Sequence, residues 1–198
     1  MTSILKVDNI KDSANNQAIS ISSGAVNFNT GISDNIVFTQ ANKGIYLGTT
    51  SATASNLLND YEEGTWTPTL LASSSNPAVQ YSSQTGHYTK VGASVTVTCY
   101  MQTTSVSGGS GAMLVGSLPF AVSGTKGYAA AQHEYIGIQM PSNANSIFTR
   151  TNPSATALTF EFQDMRAGVV NAARSGILIG ACAATTRLIA TYTYFTDA

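Results

Sequence analysis

Charge is what this sequence has least of. Lysine, arginine, aspartate and glutamate together make up 10% of the 198 residues, against roughly 25% in an average soluble domain. Nine basic and ten acidic residues leave a net charge of −1 and a pI near 6.0. No face can carry a dense basic field, so nucleic acid is not an expected partner. Long apolar runs are also missing. None approaches the roughly 20 residues that cross a bilayer, so membrane insertion is not expected. The opening MTSILKVDNIKD lacks the apolar core and small-residue cleavage site of a signal peptide, and nothing directs secretion.

Metal-ligating residues are equally scarce. The histidines are His87 and His133, and the cysteines are Cys99 and Cys182. There is no C-x-x-C, and His133-Glu134-Tyr135 lacks the second histidine of an H-E-x-x-H pair. No metal or cofactor is expected, and His133 reads as a surface residue. The remaining metal reading is a ring of one histidine per chain in a symmetric trimer. The cysteines read as two buried, reduced thiols acting as small hydrophobes. A disulfide is the alternative if their strands face each other.

Assembled catalytic chemistry is absent as well. No G-x-S-x-G elbow occurs. Ser107-Gly108-Gly109-Ser110-Gly111 lacks the lysine and the strand-to-helix setting of a phosphate loop, and reads as a hairpin loop. Glycan cleavage needs two carboxylates roughly 5–10 Å apart. Glu62 with Glu63, and Glu161 with Asp164, are the candidate pairs, and solvated charges at strand ends are the plainer reading. No catalytic residue is assigned.

What is present is β-forming material. Hydrophobic residues reach 43%, and many are β-branched or aromatic. The first 58 residues hold short apolar groups: ILKV (4–7), ISI (19–21), VNF (26–28), IVF (36–38) and IYL (45–47). Turn signals separate them. Strands this short cannot enclose a core within one chain. Winding identical copies about one axis solves that problem. It makes Ile19, Ile21, Val26, Phe28, Ile36 and Phe38 candidates for the trimer axis. A partly disordered tail is the competing reading.

Residues 51–64 form a junction, either one helical turn capped by Ser55 through Leu57 and Leu58 or a plain turn. From 59 to 198 the pattern predicts a β head. Its strands are expected at 65–71, 87–91, 94–103, 112–118, 128–140, 146–150, 157–163, 176–183 and 187–195. The stretch 164–176 reads as a long loop. Trp66, Phe120, Phe148, Phe160 and Phe162 are the expected aromatic core, whereas Tyr81, Tyr88, Tyr100, Tyr128 and Tyr135 sit in mixed contexts. The predicted fold class is all-β: a short intertwined trimeric stem over 1–58, then a β-sandwich of jelly-roll character. Loops on a rigid scaffold are the usual binding elements. That makes Ser107, Gly109, Lys126, Asn143 and Asn145 candidate receptor-facing positions.

Two stretches resemble a known group. MTSILKVDNIKDSANNQAIS resembles the opening of tail-fibre proteins of marine bacteriophages, and LLNDYEEGTWTPTL (57–70) is similar to a junction in the same group. There it is followed by Y-x-x-Q-x-G-x-Y-x-K-x-G, here Tyr81 to Gly92, then by a strand like SVTVTCYM and a G-x-L-P-F element, here Gly116 to Phe120. Trp66, Pro68, Tyr88, Gly92 and Pro119 read as core and turn positions within it. The resemblance implies a virion protein assembled in the host cytoplasm as a homotrimer. Its N-terminus would dock on other virion proteins, with Ile4, Leu5, Val7 and Ile10 as candidate contacts. Its head would meet a bacterial cell-surface glycan or protein. The stem is shorter than in such fibres, so a decoration or head fibre on the capsid or tail is the second reading. A glycan-cleaving tailspike is the third, and the chain is short for the many-runged β-helix that activity uses.

Overall fold

In the computed structural model the described residues are 9–11, 17–22, 25–28, 45–47, 57–58, 60–142, 144–164 and 174–197. The protein is all-β. By its internal contacts the chain forms two compact units, Met1–Lys43 and Gly44–Ala198.

The first unit holds a three-stranded antiparallel sheet of β1 (Asn9–Lys11), β2 (Gln17–Ser22) and β3 (Ala25–Phe28). Its register sets Ile10 opposite Ile19, Ile19 opposite Phe28, and Ile21 opposite Val26. Positions opposite one another share a face of a sheet. Five apolar positions therefore occupy one patch of it. Ile36, Phe38, Ile4, Leu5 and Val7 lie outside the described residues.

The second unit opens with a minimal ladder, β4 (Ile45–Tyr46) against β5 (Leu57–Leu58). This corrects the helical alternative for the junction: Leu57 and Leu58 are extended and paired. The main sheet follows in the spatial order β6 (Tyr61–Trp66), β8 (Ala78–Val91), β9 (Ser94–Ser107), β15 (Cys182–Phe195), β11 (Ala130–Ile138), β12 (Ala144–Thr151), β13 (Leu158–Asp164), β10 (Met113–Gly116) and β7 (Thr69–Ala72). The short β14 (Arg174–Gly176) pairs with β13 off this path. Every pairing is antiparallel. β11 joins two halves, because Ala130 and Ala131 pair with β12 while Gln132 to Ile138 follow β15. We call the β6-β8-β9-β15-β11 half the first sheet and the β12-β13-β10-β7 half the second.

The two halves enclose one core. Val95, Val97, Cys99 and Met101 on β9, with Leu188, Ala190, Tyr192 and Tyr194 on β15, supply one wall. Leu70, Met113, Val115, Leu158, Phe160 and Phe162 supply the other. The strict alternation of Val95, Val97 and Cys99 is the period of a half-buried strand. The spatial path ends where it began in sequence, since β6 and β7 are separated only by Thr67-Pro68. Pro68 cannot donate to a ladder, and there the chain leaves the first sheet for the second. The single strand expected at 65–71 is thus two strands in different sheets. Side chains close the seam: the Leu70 N–H donates to Tyr81 Oη at 2.7 Å, and Gln84 Nε2 donates to the Pro68 carbonyl at 2.9 Å.

Two further expectations change. The strand predicted at 176–183 is a 3-10 turn, Ile179–Ala181, between β14 and β15. Phe120 and Phe148 are half-buried, whereas Trp66, Phe160 and Phe162 are core. Cys99 is buried and Cys182 half-buried; both are free thiols, and burial pushes each up to about 11. The Cys182 sulfur lies 3.5 Å from the Met113 sulfur.

Candidate functional site

The residues that carry the sequence resemblance meet in one place. Across β6 and β8, Gly64 faces Tyr88 and Trp66 faces Gly86. Each pair sets a glycine under an aromatic ring. A Cβ on Gly64 would fall 2.8 Å from Tyr88 Oη, and one on Gly86 would fall 2.6 Å from Trp66 Cδ1. The Trp66 indole N–H then donates to the Thr98 carbonyl at 3.1 Å. Phe120, from the G-x-L-P-F element, packs edge-on against Tyr88 with ring centroids 5.4 Å apart. The Lys90 ammonium sits 5.6 Å from the Phe120 ring centre and pairs with Asp60. Tyr194 Oη donates to the Phe120 carbonyl at 3.0 Å. The strings are a packing node.

The carboxylates are dispersed, each on its own partner. Asp60 meets Lys90, Glu62 accepts from Tyr88, and Glu63 accepts from Tyr61. Glu134 meets Arg187 and Glu161 meets Arg150, both at 2.8 Å. Glu62 and Glu63, neighbours in sequence, point to opposite faces of β6, as alternation requires. The Ser123 hydroxyl and the Gly124 N–H bind Asp197 and hold its carboxyl below the usual range. Among the described residues no cluster of three or more His, Cys, Asp or Glu can hold a metal ion. No helix there is long and apolar enough to cross a membrane.

His133 is not the surface residue expected. Its partner across the ladder is buried Ala190, so it takes the inner face of β11. The ring lies 5.8 Å from Phe160, and Nδ1 is 3.3 Å from Thr149 Oγ1. Burial lowers its pKa below 6.5. The folded chain therefore holds a neutral imidazole where the unfolded chain takes up a proton near pH 6.5. The stabilisation is fully present above that pH and is lost as pH falls from there towards the lowered folded value. Urea midpoints at pH 7.5 and pH 5 should fall further apart in the wild type than in His133→Gln. Equal spacing in both would show that His133 does not carry the effect.

The loops sort into two groups at opposite ends of the strands. At one end Ser75 bridges Ser110, Ala112 bridges Leu178, and the Gln139 N–H donates to the Ala181 carbonyl. Ser107 and Gly109 lie here, and so does the start of β12 with Asn145; Asn143 falls outside the described residues. A cleft of about 550 Å³ opens at this end between Gln139, Met140, Pro141, Phe162, Ile177 and Leu178. Among the described residues its walls are largely apolar and carry no charged side chain, which suits an uncharged group held by contact. Lys126 lies at the other end, 6.0 Å over the Phe195 ring and beside the Asp197 clamp. The structure therefore groups Ser107 and Gly109 and separates Lys126 from them.

Sequence reading missed Met140 and Leu178, because 128–140 and 176–183 both read as plain strands. The available signal was glycine. Gly137 has φ +78° and sits at the register shift between Ile136 and Ile138, a bulge that ends regular pairing. Gly176 precedes the 3-10 turn and Gly180 is its middle residue.

No protein-family model matches the chain, and no curated protein matches it. Among solved structures it is similar to the Dettilon tailspike protein, with a TM-score of 0.46 and 18% identity over 69% of this chain and 24% of that one. The chain thus spans about a quarter of that tailspike's length.

Proposed function

We propose that the chain is a structural virion protein, a homotrimeric bacteriophage fibre whose β head meets the host surface and catalyses no reaction. The observation that carries this reading is the packing node. Three of the strings that resemble phage tail fibres, at 57–70, 81–92 and 116–120, are separate in sequence. They interlock as Gly64–Tyr88, Trp66–Gly86 and Phe120 over Tyr88 and Lys90. Strings that form one interlocked unit describe a domain rather than scattered coincidences.

The first unit supports the trimer. A three-stranded sheet of three, six and four residues has too little area to bury its own apolar patch. Copies about an axis would cover the patch at Ile19, Ile21, Val26 and Phe28. The separated carboxylates support a non-catalytic role, since Asp60, Glu62, Glu63, Glu134, Glu161 and Asp197 are each engaged with a partner of their own.

Mass measurement in native buffer tests the proposal, with a species three times 20.6 kDa expected. Phe28→Asp should abolish it, because three carboxylates would be forced together on a dry axis. A stable monomer for the wild type would sink the trimer. Imaging of labelled particles should place the protein on the tail; a position on the capsid shell would replace host contact with decoration.

A further inference from the structure

Among the described residues of the second unit, the outer face of the first sheet carries no further layer. Its register gives five rows running across the strands. They are Tyr61–Val91–Ser94–Phe195, Glu63–Thr89–Thr96–Thr193, Thr65–His87–Thr98–Thr191–Gln132, Thr85–Tyr100–Ile189–Glu134 and Ser83–Gln102–Arg187–Ile136. Five large apolar side chains stand exposed on it: Tyr61, Val91, Ile136, Ile189 and Phe195. From these observations we propose that this face packs against further copies of the same chain, so that the heads as well as the stem associate. The proposal rests on the homotrimer reading and names a surface that reading leaves open.

Charge argues for a copy over another partner. Glu134 and Arg187 neutralise each other at 2.8 Å, which leaves Glu63 and, over the Phe195 ring, Lys126 as charges of opposite sign. A face this nearly neutral meets itself without repulsion. Part of its polar surface bonds within the face: Thr96 bonds Thr193 at 3.0 Å, and the Tyr100 hydroxyl donates to Gln102 at 2.8 Å. Apolar contact by Tyr61, Val91, Ile136, Ile189 and Phe195 is then the driving force, which favours a protein surface over a sugar. Two shallow depressions flank the centre, about 360 Å³ between β6 and β8 and about 270 Å³ between β11 and β15. They give a neighbour's protruding side chains somewhere to seat.

The area is of the right order. Four strand spacings of about 4.8 Å by the rise from Ser94 to Gln102 give a flat footprint of roughly 500 Å². Accessible area exceeds a flat footprint, which brings the face close to the roughly 800 Å² per partner of stable interfaces.

Tyr61 and Tyr128 supply the test. They are exposed to nearly the same degree in the single chain, 61% and 74%, and only Tyr61 lies on the face. Hydroxyl-radical footprinting of the assembled full chain should modify Tyr61 several-fold more slowly than Tyr128, as cover by a neighbouring copy requires. Ile189→Arg with Thr98→Arg should bring the two rates together, with mass reporting the stem and near-ultraviolet dichroism reporting the head fold. Equal rates in a wild-type chain of trimeric mass would overturn this face and leave the stem reading intact. A monomeric mass would overturn both. Should the double variant fail to fold, the wild-type comparison decides alone.

Discussion

Gly86→Val should unfold the head or nearly so, with a loss of about 3–5 kcal/mol, the cost of losing a buried tryptophan from its site. The Gly86 Cα lies directly under the Trp66 indole, and an added Cβ would sit 2.6 Å from Cδ1. Backbone on β8 cannot retreat, because Gly86 is locked between Trp66 on β6 and Cys99 on β9. The ring must therefore swing out. That breaks the indole bond to the Thr98 carbonyl and opens the corner at which Pro68 turns the chain into the second sheet. A whole domain has only about 5–15 kcal/mol of stability. The effect is checked by urea unfolding of the wild type, Gly86→Val, Trp66→Val and the double variant. Because the two residues touch, the double should lose clearly less than the sum of the singles. Strict additivity would show that the ring and the glycine do not depend on each other.

The same node shows how much sequence carries. Trp66 is legible as core from its apolar setting, whereas Pro68 and Tyr88 are read as turn and core positions through the resemblance alone. Alternation located β9 and the C-terminal half of β15. What was not legible depends on partners remote in sequence. Nothing local says that Thr65 and Thr69 belong to different sheets, since Pro68 breaks a ladder without specifying the next one. Lys90 is buried only because Asp60 and Phe120 arrive beside it, from residues thirty positions away on either side. His133 reads as a polar residue next to Glu134, yet a one-residue offset against β15 turns it inward. The cleft was invisible because its walls came from a bulge at Gly137 and a 3-10 turn, both inside apolar runs.

Arg150 illustrates the energetic side of such remote pairing. It lies on β12 diagonally across from Glu161 on β13, and Arg150 Nη2 donates to Glu161 Oε1 at 2.8 Å. The Glu161 side chain is only 9% exposed. Its Oε2 and the Arg150 Nε are buried without a hydrogen-bond partner. The pair is therefore held together more by the absence of an alternative than by a complete network. Arg150→Met should destabilise the head by about 3–5 kcal/mol, because it strands a buried carboxylate. Adding Glu161→Leu should recover most of that loss, since an apolar pair of similar volume is often neutral or better. Urea midpoints of the wild type, Arg150→Met and the double variant decide the matter. A single variant no worse than the double would mean that Glu161 finds water or another partner once the guanidinium is gone.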